Sequence, residues 1–182
     1  MEQPEVPTEH LHEEMEHHAK HSGERWTLGV ALSSALLAAL AAVASLQAGH
    51  HANEAMVSQI ESANQWSYFQ SKSIKEGQLK SKMDILTALD KSVTPADKTK
   101  ADEYKEEKEK IQLTAEAKEK EAHHHLGTHQ IFAKSVTLFQ IAISVGAISV
   151  LTKRPKFWYV SLALGITGVV FFVQALLSAS AH

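Results

Sequence analysis

The sequence predicts an all-α membrane protein with three transmembrane helices and a long, coiled-coil-like antiparallel helical hairpin outside the cytoplasm. Three observations predict it. Residues 26–48, 131–152 and 157–179 are apolar runs of about 22 residues without an acidic side chain; at 1.5 Å rise per residue each spans a hydrocarbon core of roughly 30 Å. Residues 50–91 hold one glycine and no proline, and residues 96–126 hold neither, so little there interrupts a helix. The last two runs are joined by only four residues, Lys153-Arg154-Pro155-Lys156. A mean hydropathy of -0.18 hides this pattern by averaging apolar runs with very polar segments.

Taken in order, residues 1–25 form a polar segment with amphipathic character. Within it Leu11, Met15 and Ala19 make one stripe, while His10, Glu14, His17 and His21 share another face. Residues 26–48 form the first span. The run is longer than the 7–15 apolar residues of a cleavable signal, and the residues before it are acidic and His-rich, so it reads as an uncleaved anchor. Residues 49–130 form the hairpin, with its tip near 92–95. There Thr94 suits an N-cap, Pro95 the first helical position and Asp97 the positive end of the helix dipole. The arms of about 42 and 35 residues reach roughly 63 and 53 Å and continue the first two spans without a break. Residues 131–152 and 157–179 are the second and third spans, 153–156 a basic loop and 180–182 a tail.

Orientation follows from positive charge near the spans. Lys153, Arg154 and Lys156 mark the cytoplasmic side, together with Lys20 and Arg25 before the first span. Residues 49–71 carry no Lys or Arg, and Lys134 lies just inside the second span. The N-terminus and the 153–156 loop are therefore expected in the cytoplasm and the hairpin beyond the membrane.

Packing signals are thinner. Met56, Ile60, Ala63, Ile74, Leu79, Met83, Leu86 and Leu89 on the outgoing arm, with Ala101, Tyr104, Ile111, Ala115, Ala122 and Leu126 on the returning one, recur at spacings of 3, 4 and 7. The heptad drifts, and residues 97–121 read as a solvated charged face, with Glu106–Lys110 and Glu116–Lys120 as i,i+4 pairs. Trp66, Tyr68 and Phe69 need burial, which self-association would supply, making them candidate oligomer contacts. In the spans, small residues recur as Ala31/Ala35/Ala39, Ser34/Ala38/Ala42 and Ser161/Gly165, and Gln47, Gln140 and Gln174 are candidate interhelical hydrogen-bonding groups.

Candidate chemistry rests on histidine, twelve in all. His10, Glu14, His17 and His21 form one possible transition-metal set. His50 and His51, leaving the first span, and His125 and His129, approaching the second, form another. The bland alternative is that these are interfacial polar residues. His12 and His17 are five apart, so the segment is not HExxH. With no cysteine, thiolate metal sites and cysteine nucleophiles are excluded. No P-loop, dinucleotide fingerprint or GxSxG is present, and no basic aromatic surface suggests nucleic acid. The expectation is a non-enzyme with no cofactor beyond such a metal, partnered by membrane lipid, by further copies of itself and by a protein partner.

Four stretches carry a family resemblance. They are Pro7-Thr8-Glu9-His10-Leu11-His12-Glu13-Glu14, Ala48-Gly49-His50-His51-Ala52-Asn53-Glu54-Ala55-Met56, residues 65–75 (QWSYFQSKSIK) and Thr137-Leu138-Phe139-Gln140-Ile141-Ala142-Ile143. From about residue 5 to 177 the chain resembles a family of bacterial membrane proteins defined by a domain of unknown function, DUF4337. The resemblance implies a bacterial inner-membrane protein with three spans and a coiled-coil middle. It implies no activity, ligand or catalytic residue. The function expected is a homo-oligomeric scaffold or partner-docking subunit; the alternatives are a homo-oligomeric channel or transport component, and a histidine-based metal or pH sensor.

Overall fold

The computed structural model describes residues 25–180. Among the described residues there are three α-helices and no strand: α1 is Arg25–Ala88, α2 is Pro95–Thr152 and α3 is Pro155–Ser180. All three are long and apolar enough to cross a membrane. α1 and α2 run 64 and 58 residues without interruption. The backbone therefore shows no break at 48/49 or 130/131, where the apolar runs give way to polar sequence. Gly77 is exposed with open space around it, and one such glycine costs a helix only about 1 kcal/mol.

The helix ends are set by local chemistry. α1 and α2 both stop on a non-glycine residue in the left-handed region, Asp90 and Lys153, each with φ 54°. At each stop the chain closes a Schellman pattern. Lys91 N–H donates to Leu86 O at 2.8 Å, and Arg154 N–H donates to Ser149 O at 3.1 Å. α2 begins as the sequence leads one to expect: Thr94 Oγ1 accepts from Asp97 N–H at 3.3 Å and donates to Asp97 Oδ2 at 2.8 Å.

The described residues divide into two compact units, one built from residues 25–52 and 126–180, the other from residues 53–125. In the first, a three-helix unit, buried positions recur at 3,4 spacing. On α1 they are Thr27, Val30, Ser34, Leu37, Ala41, Ala44, Ala48 and His51; on α2, Thr128, Phe132, Ser135, Phe139, Ala142, Gly146 and Ser149, with Ile143 and Ala147 buried beside them. Ser161, Gly165, Gly168 and Ala175 complete the interior from α3. Large aliphatic side chains such as Leu28, Leu32, Leu36, Ile166, Val170 and Leu177 are exposed, while Thr27, Ser34, Thr128, Ser135, Ser149 and Ser161 are buried. That distribution suits a hydrocarbon surround, where hydroxyls need protein partners and leucines do not.

Of the small-residue stripes expected in the first span, only Ser34 is fully buried. Ala35, Ala39 and Ala42 are exposed, because the packed face follows 3,4 steps and a pure four-residue step drifts off it. Ser161 and Gly165 are buried as expected. Close approach is tightest where a Cβ on Gly168 would stand 2.7 Å from the Phe139 ring. Hydroxyls stitch the helices: Ser135 Oγ donates to Gly168 O at 2.9 Å, Ser161 Oγ to Ala142 O at 2.6 Å, and Thr128 meets Ser178 at 3.1 Å. Trp158 Nε1 donates to Ser33 Oγ at 3.3 Å. Each such bond is worth about 0.6 kcal/mol in a membrane protein.

The second unit is made from parts of α1 and α2 whose contacts run in opposite order. Glu61 meets Lys118, Ser62 meets Ala115, Lys72 meets Glu107, Glu76 meets Lys108 and Lys82 meets Asp97. The same 3,4 spacing orders this seam. Its α1 positions are 55, 58, 62, 65, 69, 72, 76, 79, 83 and 86; its α2 positions are 97, 101, 104, 108, 111, 115, 118, 122 and 125. Ala101, Ile111, Ala115 and Ala122 are buried where the sequence places them. Met56, Ile60, Ala63, Ile74, Leu89 and Leu126, expected in the seam, are exposed, and Ala55, Ser58, Ser62 and Glu76 take the inner face. Small residues win there because they let the two backbones approach, and Ser62 Oγ donates across to Ala115 O at 3.0 Å.

Candidate functional site

The polar seam of residues 53–125 is the most developed constellation in the chain. Glu76 is buried between two ammonium groups, accepting from Lys108 at 2.7 Å and Lys80 at 2.5 Å. The ammonium of Lys108 also lies over the Phe69 ring, 5.3 Å from its centroid. One heptad position earlier, Lys72 pairs with Glu107 and sits between Tyr68 and Tyr104, at 5.3 and 5.2 Å from the two ring centroids. Lys118 bridges Glu61 at 2.9 Å and Glu121 at 3.0 Å, and Lys82 chelates Asp97 at 2.8 and 3.0 Å.

The solvated face expected over 97–121 thus supplies one half of a ladder of ion pairs. Glu106–Lys110 and Glu116–Lys120 are not among the ion pairs formed by the described residues, and Gln112 donates to Glu116 at 2.8 Å instead. Lys72, Glu76 and Lys108 escaped sequence reasoning because a charged residue at a heptad core position reads as an interruption. Their 3,4 register was the available signal.

The electrostatics follow from these partners. Lys108 first, then Lys80, hold the Glu76 carboxyl below its ordinary value. Lys82 and Thr94 do the same for Asp97, Lys72 for Glu107 and Lys118 for Glu121. Glu107 raises Lys72, and Glu61 with Glu121 raises Lys118. A carboxyl with a lowered folded value stabilises the seam fully above its unfolded value of about 4, and that contribution fades as pH falls through the folded value. A raised lysine contributes below about 10.4 and loses its contribution as pH climbs through the folded value. The expected result is a plateau of arm stability through neutral pH and a fall as pH drops below about 4. Thermal unfolding of the full chain followed by circular dichroism across that range measures it. An arm transition independent of pH would remove the ladder from the account. At neutral pH, Glu76→Gln should cost about 1–2 kcal/mol, since two ammonium groups lose their charged partner.

The aromatic trio is partly served within the chain. Trp66 packs edge-on against Phe69 with centroids 5.5 Å apart, and both rings are half-buried; Tyr68 remains exposed. Gln47 and Gln140 are half-buried and Gln174 is exposed. None of the three side chains makes a cross-helix hydrogen bond among the described residues, and the hydroxyls take that part.

Among the described residues the histidines make ring and backbone contacts. His51 is buried and stacks on Phe132, with centroids 5.8 Å apart and planes 14° from parallel. His50 tilts against His51 at 5.4 Å. His129 Nδ1–H donates to Ala48 O at 2.8 Å, which fixes that ring's tautomer because a carbonyl can only accept. His125 packs edge-on against His124 at 6.0 Å. Among the described residues, no three His, Asp or Glu side chains are grouped to hold a metal ion. His10, Glu14, His17 and His21 lie outside the described residues. Lys153, Arg154 and Lys156 stand exposed around the α2–α3 turn.

The model of one protein family, described as a domain of unknown function (DUF4337), matches residues 12–178. No curated protein and no solved structure matches the chain.

Proposed function

The chain belongs to the DUF4337 family, and we propose that it is a structural membrane protein, a homo-oligomeric scaffold or docking subunit. In this reading residues 49–130 form an extracytoplasmic, antiparallel helical hairpin packed as a coiled coil. One observation carries the proposal. In the polar unit, large apolar side chains face away from the seam: Met56 is 56% exposed, Ile60 55% and Leu113 68%. A polar unit in water gains by covering such residues, and further copies of the chain are always present to do so.

A conducting pore has less support within one chain, since Phe132, Phe139 and Ile143 fill the three-helix interior. Mass measurement in mild detergent tests the scaffold reading, with a multiple of 20.0 kDa expected and a clean monomer against it. Orientation is tested separately, with single cysteines at Ser81 and Lys156 exposed to an impermeant thiol reagent in intact cells. Ser81→Cys should label and Lys156→Cys should stay protected; the reverse would put the hairpin in the cytoplasm.

A further inference from the structure

We propose that the groove between α2 and α3 around Lys134 seats an anionic phospholipid, its phosphate on the lysine and an acyl chain along Leu138 and Phe171. The groove has a volume of about 420 Å³ and is lined by Ala133, Lys134, Thr137, Leu138 and Phe171. Lys134 is exposed on the face of α2 that also carries exposed Thr137, Ile141 and Ile148, the face turned away from the packed interior. Counting back from Lys153, Lys134 lies nineteen residues along α2, about 28 Å by helical rise. It therefore stands at the hydrocarbon boundary opposite the basic connector, where a four-carbon stem can lift the ammonium to phosphate level.

Among the described residues the charge there has no counter-ion. Lys134 forms no ion pair among the described residues. Residues 26–52 and 126–180 contain no Asp or Glu, so a second copy's three-helix unit cannot supply a carboxylate either. A lysine at this depth reaches the interface by extending its stem, and its ammonium there attracts an anionic headgroup. The anion native to that depth is a phosphodiester. Thr137 donates back to Ala133 O at 2.9 Å, leaving the groove below the lysine without a free donor and suited to an acyl chain.

The test uses the full chain in mild detergent, with native mass spectrometry against phosphatidylglycerol, phosphatidylcholine and inorganic phosphate. Phosphatidylglycerol adducts should persist on the parent and not be displaced by millimolar phosphate, and phosphatidylcholine adducts should be at least fivefold scarcer. Lys134→Gln should lower the phosphatidylglycerol-bound fraction at least fivefold, Lys134→Arg should keep it, and Lys153→Gln with Arg154→Gln and Lys156→Gln should change it less than twofold. A second measurement needs no variant: acetylation of Lys134 on the parent chain, relative to Lys91, should be at least fivefold slower in phosphatidylglycerol vesicles than in phosphatidylcholine vesicles. An unchanged bound fraction in Lys134→Gln, equal binding of both lipids, displacement by phosphate or equal acetylation would each overturn the proposal.

Discussion

Gly168→Ile should destabilise the three-helix unit by about 2–3 kcal/mol, as large as overpacking in a soluble core. A Cβ at this position would stand 2.7 and 2.8 Å from two carbons of the Phe139 ring, closer than side chains come without something moving. The ring cannot yield easily, because Phe139 is fully buried. Nor can the backbone, since Ser135 Oγ holds the Gly168 carbonyl at 2.9 Å. Lipid is as apolar as leucine, so the helices are held by fit and hydrogen bonds, without a hydrophobic reward for burial. Forcing α2 and α3 apart therefore removes the main source of their affinity. Equilibrium unfolding in mixed detergent micelles measures the loss. The smaller change Gly168→Ala should cost less, and Phe139→Leu added to it should recover part of that cost by making room for the new methyl. A Gly168→Ile variant as stable as the parent would show that α3 is held elsewhere.

The parts of the fold legible in the sequence are those set by bulk composition and by strong local chemistry. Three apolar runs foretell three membrane-length helices, and Thr94-Pro95 with Asp97 foretells where α2 begins. The seam between α1 and α2 was far less legible. A reader looking for large apolar residues follows Met56, Ile60 and Ile74, which are exposed. The buried register instead passes through Ala48, His51, Ala55, Ser58 and Ser62, then through Phe69, Lys72 and Glu76, without losing its 3,4 step. Small residues carry little hydrophobic signal although they govern backbone approach. Charged residues carry an opposite signal, yet a lysine stem can bury beside a ring while its ammonium reaches a carboxylate. Lys72 and Lys108 do so here. The candidate site was hidden for the same reason, because its pairing depends on register across two helices and not on any local motif.

That register also points to a second candidate assembly surface beside the aromatic one. Burial needs at Trp66 and Phe69 are met partly by each other and by Lys108, so Trp66→Ala with Phe69→Ala should weaken the arms more than the oligomer. Met56, Val57 and Ile60 have no such cover; they lie at adjoining positions on the outer face of α1 and are each more than half exposed. Fully burying one such side chain from water contributes about 1.5–3 kcal/mol, and covering the exposed half of each contributes about 1 kcal/mol. Three together amount to about 3 kcal/mol per subunit, more than a hundredfold in an association constant. Met56→Ser, Val57→Ser and Ile60→Ser combined should therefore shift the mass in mild detergent toward the monomer and leave the helical content unchanged, since serine is tolerated on an exposed helix face. Full oligomeric mass in this triple variant, with loss of mass in the Trp66 and Phe69 pair, would return the interface to the aromatic side of the arm.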